Sequence, residues 1–331
     1  MRKRLVGRRL VAAGALSALA VGSVLGGSVL AAAEPSEPWS APYQDDRPIG
    51  WASVDENGQN GTTGGAGGDT VTASNADQFL DYISRDEPLV IEVDGTIQLS
   101  GMERVSSDKT IIGVGTNGHI TGGGLKLRSV SNIIIRNLHF SDANDDSIDM
   151  EEGTHHVWVD HNSFTNANDG AVDIKRESDF ITVSWNRVYE HDKSMILGHS
   201  DNHTADIGHL RVTYHHNYFD GSDTRHPRVR FGDQVHVFNN YYRANKEYGV
   251  ASTMNAGVIV EGNYFEDVDT PTEVGYGSSS DGRIVARNNV LDNSGEIATA
   301  GSVDDPPYSY TVDNPQNIPS LVGGGAGYGN L

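Results

Sequence analysis

Val157-Trp158-Val159-Asp160-His161-Asn162 is a short β-branched run closed by an asparagine, and the same phrase recurs along the chain. Ile133-Ile134-Ile135-Arg136-Asn137 precedes it, and Ile181-Thr182-Val183-Ser184-Trp185-Asn186 follows. Then come Val212-Thr213-Tyr214-His215-His216-Asn217 and Val235-His236-Val237-Phe238-Asn239-Asn240. Two weaker copies close the series, Val258-Ile259-Val260-Glu261-Gly262-Asn263 and Ile284-Val285-Ala286-Arg287-Asn288-Asn289. The closing asparagines at 137, 162, 186, 217, 240, 263 and 289 are spaced by 25, 24, 31, 23, 23 and 26 residues. A repeat of this length built from short strands is the mark of a solenoid. Leucine-rich repeats would carry Leu at fixed positions, whereas these strands are rich in Val, Ile, Thr and Tyr. Asparagine tolerates the left-handed backbone of a sharp corner, and stacked turns would align the amides in a ladder. The reading is all-β: a right-handed, single-stranded parallel β-helix.

Outward from the ladder, the long spacing between Asn186 and Asn217 marks an insertion containing His191-Asp192-Lys193 and Gly198-His199-Ser200-Asp201. Insertions in solenoids form loops on one face, often the binding face. The glycine-rich stretch at 60–68 reads as a tightly packed loop rather than a phosphate cradle, because no Lys-Ser ending follows. Residues 74–84 have the pattern of a capped amphipathic helix, which would close the open end of the coil. The glycine-rich tail from Leu321 reads as loose.

The first nine residues carry five basic side chains, followed by an apolar run at 10–30 and Ala31-Ala32-Ala33. That order is expected of a secretory signal peptide at 1–33, with Arg8-Arg9-Leu10 compatible with a twin-arginine route. A catalytic domain would then occupy 34–331. Removing the signal leaves 19 basic against 45 acidic residues. A surface this acidic repels nucleic acid and acidic membranes, so neither is an expected partner, and a polyanionic substrate would need a local basic patch or a bound cation. The chain has no cysteine, and a domain of this length needs no disulfides. The expected product is a secreted monomer.

The chemistry concentrates in three places. In Asp169-Gly170-Ala171-Val172-Asp173-Ile174-Lys175-Arg176, strand alternation would turn Val172 and Ile174 inward and Asp169, Ala171 and Asp173 outward. Two carboxylates on one face repel unless a cation lies between them. Asn144-Asp145-Asp146, about one turn earlier, would add a third. Carboxylates without His or Cys suit a hard cation held through oxygen, calcium above all; a solvated acidic patch is the plain alternative. Lys193, and then Arg225-His226-Pro227-Arg228-Val229-Arg230 about one turn later, concentrate positive charge beside these acids. Cations of this kind bind the carboxylates of an acidic sugar polymer, or else form structural ion pairs between turns.

Four motifs together resemble the family 1 polysaccharide lyases, and within them the bacterial pectate lyases. They are Val157-Trp158-Val159-Asp160-His161, Asp169 to Lys175, His191-Asp192-Lys193 with Gly198-His199-Ser200-Asp201, and Arg225-His226-Pro227-Arg228-Val229-Arg230-Phe231-Gly232. The resemblance spans about residues 51–276. It implies calcium-dependent β-elimination of polygalacturonate, with Asp146, Asp169 and Asp173 as the metal carboxylates and Asp145 the alternative to Asp146. It implies Arg225 as the proton-abstracting base, Lys193 and Arg230 as binders of substrate carboxylates, and Tyr276 as a subsite residue. Trp158, Asp160 and His161 read as packing. A guanidinium normally stays protonated at neutral pH, so such a base implies an alkaline optimum. Pectin lyase, metal-independent and acting on methyl-esterified polymer, is the rival reading. A polygalacturonase-like hydrolase would instead need acidic groups placed to protonate the leaving group and activate water.

Overall fold

The computed structural model describes residues 47–331; the expected signal peptide lies outside the described residues. Three parallel sheets of ten, nine and eight strands make up the coil. Each complete turn contributes one strand to each sheet. In the ten-stranded sheet, Ile133 pairs with Val157, Val157 with Ile181, and Ile181 with Val212. Strands three apart in sequence are therefore neighbours in space, the pairing of a parallel β-helix.

Alternation decides what fills the coil. Ile133 and Ile135, Val157 and Val159, and Ile181 and Val183 are fully buried on successive rungs. Aromatic side chains stack likewise: Phe140 on Phe164 at 5.2 Å, and Phe219, Tyr242 and Phe265 in sequence at 5.1 and 4.4 Å between ring centroids. Each ring buries a large apolar area and gains from its stacked neighbour.

The asparagine ladder forms, with a shifted frame. Asn162, Asn186, Asn217, Asn240 and Asn263 each donate from backbone N and from Nδ2 to Oδ1 of the next ladder asparagine, ending at Asn289. The left-handed corner residue is the one before each ladder asparagine: His161, Trp185, His216, Asn239, Gly262 and Asn288 all have positive φ. Asn137, also at positive φ, belongs to that corner column, and its Nδ2 donates to Gly113 and Gly115 carbonyls. The ladder asparagines are chosen for their amides, which satisfy buried backbone groups, and not for tolerance of the left-handed region.

The first turn of the coil is covered by a helix, and the C-terminal tail packs along the flank of the nine-stranded sheet. Helix Ala76–Ser84 is capped by Asn75, whose side chain accepts from Gln78 N, and it buries Phe79 and Ile83 against the first turn as expected. The 60–68 loop is tightly packed, as its composition predicts: a Cβ on Gly65 would stand 1.9 Å from the Leu89 carbonyl oxygen. The tail is not loose. Helix Ile318–Gly325 buries Ile318 and Val322 against Tyr218 and Tyr241, and Tyr328 stacks on His139 at 5.0 Å. Ile318 and Val322, ahead of the glycine run, supply that docking face. Among the described residues no helix is long and apolar enough to cross a membrane.

Candidate active site

The eight-stranded sheet includes, in consecutive turns, strands Ile148–Glu151, Val172–Ile174, Ile196–Leu197 and Arg228–Arg230. Asp145 and Asp146, Asp169, Lys193 and Arg225 occupy the turns that lead into these four strands. Bridges between Gly170 and Lys193 and between Lys193 and Thr224 keep those turns in step. Residues far apart in sequence therefore reach one edge of one sheet.

Carboxylate oxygens of Asp145, Asp146 and Asp169 lie within 4.8 Å of one another. Asp146 Oδ1 accepts from Gly170 N at 2.7 Å, which fixes it under the next turn. Asp173 lies deeper, its Oδ1 accepting from Ile196 N at 3.3 Å. A Cβ on Gly170 would stand 2.1 Å from Asp173 Oδ1 and 3.0 Å from Asp146 Oδ1, so only glycine lets both carboxylates close in at this position. Burial pushes the Asp146 carboxyl up to about 6 against the pull of Lys175. Burial and the negative charge of Asp146 push Asp173 well up too. Such a group gains from a positive charge placed between its members. Its ligands are all oxygen, the donor set of a hard divalent cation, and the residues present fit calcium.

Asp169 Oδ1 is also where the cations meet, with Arg225 Nη1 at 3.1 Å and Lys193 Nζ at 3.3 Å. Arg225 itself sits at φ 66°, in the left-handed region, just ahead of its strand. Arg230 stands apart from that pair. Its Nε donates to Asp201 Oδ1 at 2.7 Å and its Nη1 to the Gly198 carbonyl at 3.3 Å, both in the insertion. Ser279 bridges Asp201 Oδ2 to Arg228 Nη2, at 2.7 and 2.8 Å. Tyr276 packs its ring against the Arg228 guanidinium at 4.7 Å and donates to Glu247 at 2.5 Å, on a later turn of the same sheet.

The chain matches the family model described as pectate lyase over residues 19–329. The chain belongs to the pectate lyase family. A pectate trisaccharide-lyase from Bacillus licheniformis is 36% identical over 291 residues, covering 82% of this chain and 84% of that protein. One from Thermotoga maritima is 37% identical over 341 residues, covering 87% and 90%. A crystal structure of a pectate lyase from Bacillus sp. N165 matches with a TM-score of 0.77 and 35% identity, covering 85% of this chain and 99% of that one. The chain is thus a polysaccharide lyase with pectate lyase activity, as its motifs imply.

Strand alternation misplaces one residue of the enzyme's central motif. Ala171 is fully buried in the core instead of pointing outward. The strand begins only at Val172, and at Ala171 the chain is still turning, its N donating to the Ser194 carbonyl at 2.8 Å. Two charged residues given no role from sequence prove central. Lys175 Nζ lies 2.9 Å from Asp149, 3.3 Å from Asp146 and 3.6 Å from Asp173. Burial opposes its charge, yet Asp173, Asp146 and Asp149 together raise its pKa, so it stays an ammonium. Asp149 is the register partner of Asp173, so counting back one turn from Asp173 finds it.

The signature residues Trp158, Asp160 and His161 belong to the ten-stranded sheet. Buried Asp160 accepts from Arg136 Nε at 2.9 Å and Ser184 Oγ at 2.6 Å, and contacts His161 Nδ1 at 2.7 Å. Trp158 Nε1 donates to Ser184 Oγ at 2.8 Å. They form a packing network, as expected.

Proposed function

We propose that this pectate lyase cleaves polygalacturonate by calcium-dependent β-elimination, with Arg225 as the base. The observation that carries the reading is the convergence of Arg225 and Lys193 on Asp169, beside the buried acidic group. In the elimination, the base takes the C5 proton of a galacturonate next to its carboxylate. That electron pair forms the C4–C5 double bond as the C4–O4 bond breaks, and the departing oxygen takes a proton from solvent water. Calcium, when bound by Asp146, Asp169 and Asp173 with Asp145 at the rim, supplies positive charge that neutralises the substrate carboxylate and acidifies the C5 proton.

Lys193 and Arg230 bind substrate carboxylates, and Tyr276 borders a further sugar position. Arg230 commits Nε and Nη1 to Asp201 and Gly198, which leaves the other donors of its fork for a carboxylate. The relative from Bacillus sp. N165 was solved in complex with trigalacturonate, and an acidic oligosaccharide is the substrate class these cations suit. The enzyme acts outside the cell as a monomer, after loss of residues 1–33, with the catalytic domain at 34–331. N-terminal sequencing of the exported protein tests that boundary, and a start well before or after Glu34 would move it.

The experiment is the ultraviolet absorbance of unsaturated product on polygalacturonate. Activity is expected with calcium, lost in excess EDTA, restored by added calcium and absent in Arg225→Ala. Full activity in EDTA, with preference for methyl-esterified polymer, would instead establish a metal-independent pectin lyase.

A further inference from the structure

The insertion that lengthens one turn carries a second group of ligand atoms, away from the all-oxygen one. Glu177 lies in the turn after strand Val172–Ile174; His203 and Asp206 lie in the inserted loop, at a short 3-10 helix, Thr204–Asp206. One ligand atom from each of the three lies within 4.8 Å of the others.

Their separations are informative. His203 Nε2 is 3.4 Å from Glu177 Oε2 and 4.0 Å from Asp206 Oδ1. Charge-assisted hydrogen bonds from an imidazolium to a carboxylate close to about 2.7–2.9 Å. These contacts are longer than that: His203 and Glu177, at the long limit of a hydrogen bond, stand close to the roughly 3.3 Å that bonds of about 2.0–2.1 Å to tetrahedral zinc put between neighbouring ligands, and His203 and Asp206 are somewhat wider. Asp206 is fully buried, and backbone amides orient both of its oxygens, Glu177 N at 2.8 Å to Oδ1 and His199 N at 2.9 Å to Oδ2. Each oxygen keeps a second lone pair, and a carboxylate held this way is the second-shell arrangement typical of metal ligands. His199, whose ring stands edge-on to His203 at 5.2 Å, is already engaged, because its Nε2 meets Arg176 Nη2 at 3.0 Å.

We propose that Glu177, His203 and Asp206 form a binding site for a borderline divalent transition metal of the zinc type, with a position left for water. One imidazole and two carboxylates suit zinc, whereas calcium takes oxygen alone. The ion ties the inserted loop to the turn beneath it. That loop also carries Asp201, the residue that holds Arg230, so the site braces one of the substrate cations from outside. The proposal stands apart from the assignment of calcium to the aspartate group.

The test uses tag-free, calcium-saturated protein freed of transition metals, titrated calorimetrically with Zn2+ and followed in the visible with Co2+. One equivalent is expected to bind with calcium present, with Co2+ bands of mixed nitrogen and oxygen ligation and a rise in thermal midpoint on adding Zn2+. His203→Gln and Glu177→Gln are each expected to weaken Zn2+ binding by more than about tenfold. His209→Gln, removing the half-buried histidine 3.7 Å from Asp179, should leave it unchanged. Absence of Zn2+ binding in the unaltered protein would overturn the proposal. So would binding indifferent to His203→Gln, or binding lost in His209→Gln instead.

Discussion

Arg225 Nη1 donates to Asp169 Oδ1 at 3.1 Å across two turns of the coil, past the rung that holds Lys193, and the two residues are 56 apart in sequence. The contact joins the proposed base to a proposed metal ligand. A lysine at 225 keeps the charge but loses the planar fork that presents donors in fixed directions. Arg225→Lys should therefore lower kcat by about 10^2-fold or more, with little change in thermal midpoint, since the side chain is partly exposed. Steady-state kinetics beside a melting curve check this, and near-normal kcat would exclude Arg225 from the chemistry.

Gly170 separates Asp146 from Asp173 with no side chain of its own. Its φ is not in the left-handed region, so an alanine there is opposed only by crowding, with the new methyl 2.1 Å from Asp173 Oδ1. Gly170→Ala should push the carboxylates apart and weaken calcium binding by roughly tenfold or more, a cost of about 1.4 kcal/mol. Calorimetric titration with calcium reads this directly. An unchanged affinity would place the ion away from Gly170.

His226 follows Arg225 and is fully buried, its Nδ1 2.8 Å from the Tyr248 carbonyl and its Nε2 2.9 Å from Ser222 Oγ. Nδ1–H donates to the carbonyl and Nε2 accepts from the hydroxyl, an arrangement only the neutral ring can make. Burial lowers its pKa from 6.5 to about 4. Between those values the unfolded chain binds a proton that the folded chain does not, so stability rises with pH across this window and is lost on acidification. The contribution is about 3 kcal/mol, and His191, likewise lowered to about 4 by burial, adds in the same direction. Urea unfolding should show a lower midpoint at pH 5 than at pH 7.5, with a shallower dependence in His226→Gln. Equal slopes in the two proteins would remove His226 from the account.

Asn217 sits mid-ladder. Its Oδ1 accepts from Asn186 N and Nδ2, and its Nδ2 donates to the Val183 carbonyl and Asn240 Oδ1. Asn217→Ala would orphan Asn186 N and take a partner from the Val183 carbonyl, Asn186 Nδ2 and Asn240 Oδ1, the last two keeping only the Val159 carbonyl and the residue 217 backbone N. Each buried unsatisfied group costs about 1–3 kcal/mol, and partial relaxation should leave a net loss of roughly 3 kcal/mol or more. Equilibrium unfolding checks this, and a loss below about 1 kcal/mol would mean that water repairs the ladder.

The coil was legible in the chain before any coordinates, because its two controlling signals are local and repeated. β-branched alternation sets which side chains fill the core, and a periodic asparagine sets the turn length. The same period brought Asp146, Asp169, Lys193 and Arg225 toward one place, since residues one turn apart must stack. Local pattern misled where the backbone departs from strand geometry. Ala171 is buried because the chain is still turning there, and Asn137 lies one residue out of the ladder frame. The apparently loose tail docks because its few apolar side chains meet a tyrosine face assembled from separate turns. Tertiary structure alone decided the electrostatics. Lys175 lies among three aspartates, Asp173 lies below the oxygens that converge at the surface, and Arg230 is braced by an inserted loop. These are distances between side chains on different turns, set by register and burial, and no spacing along the chain encodes them.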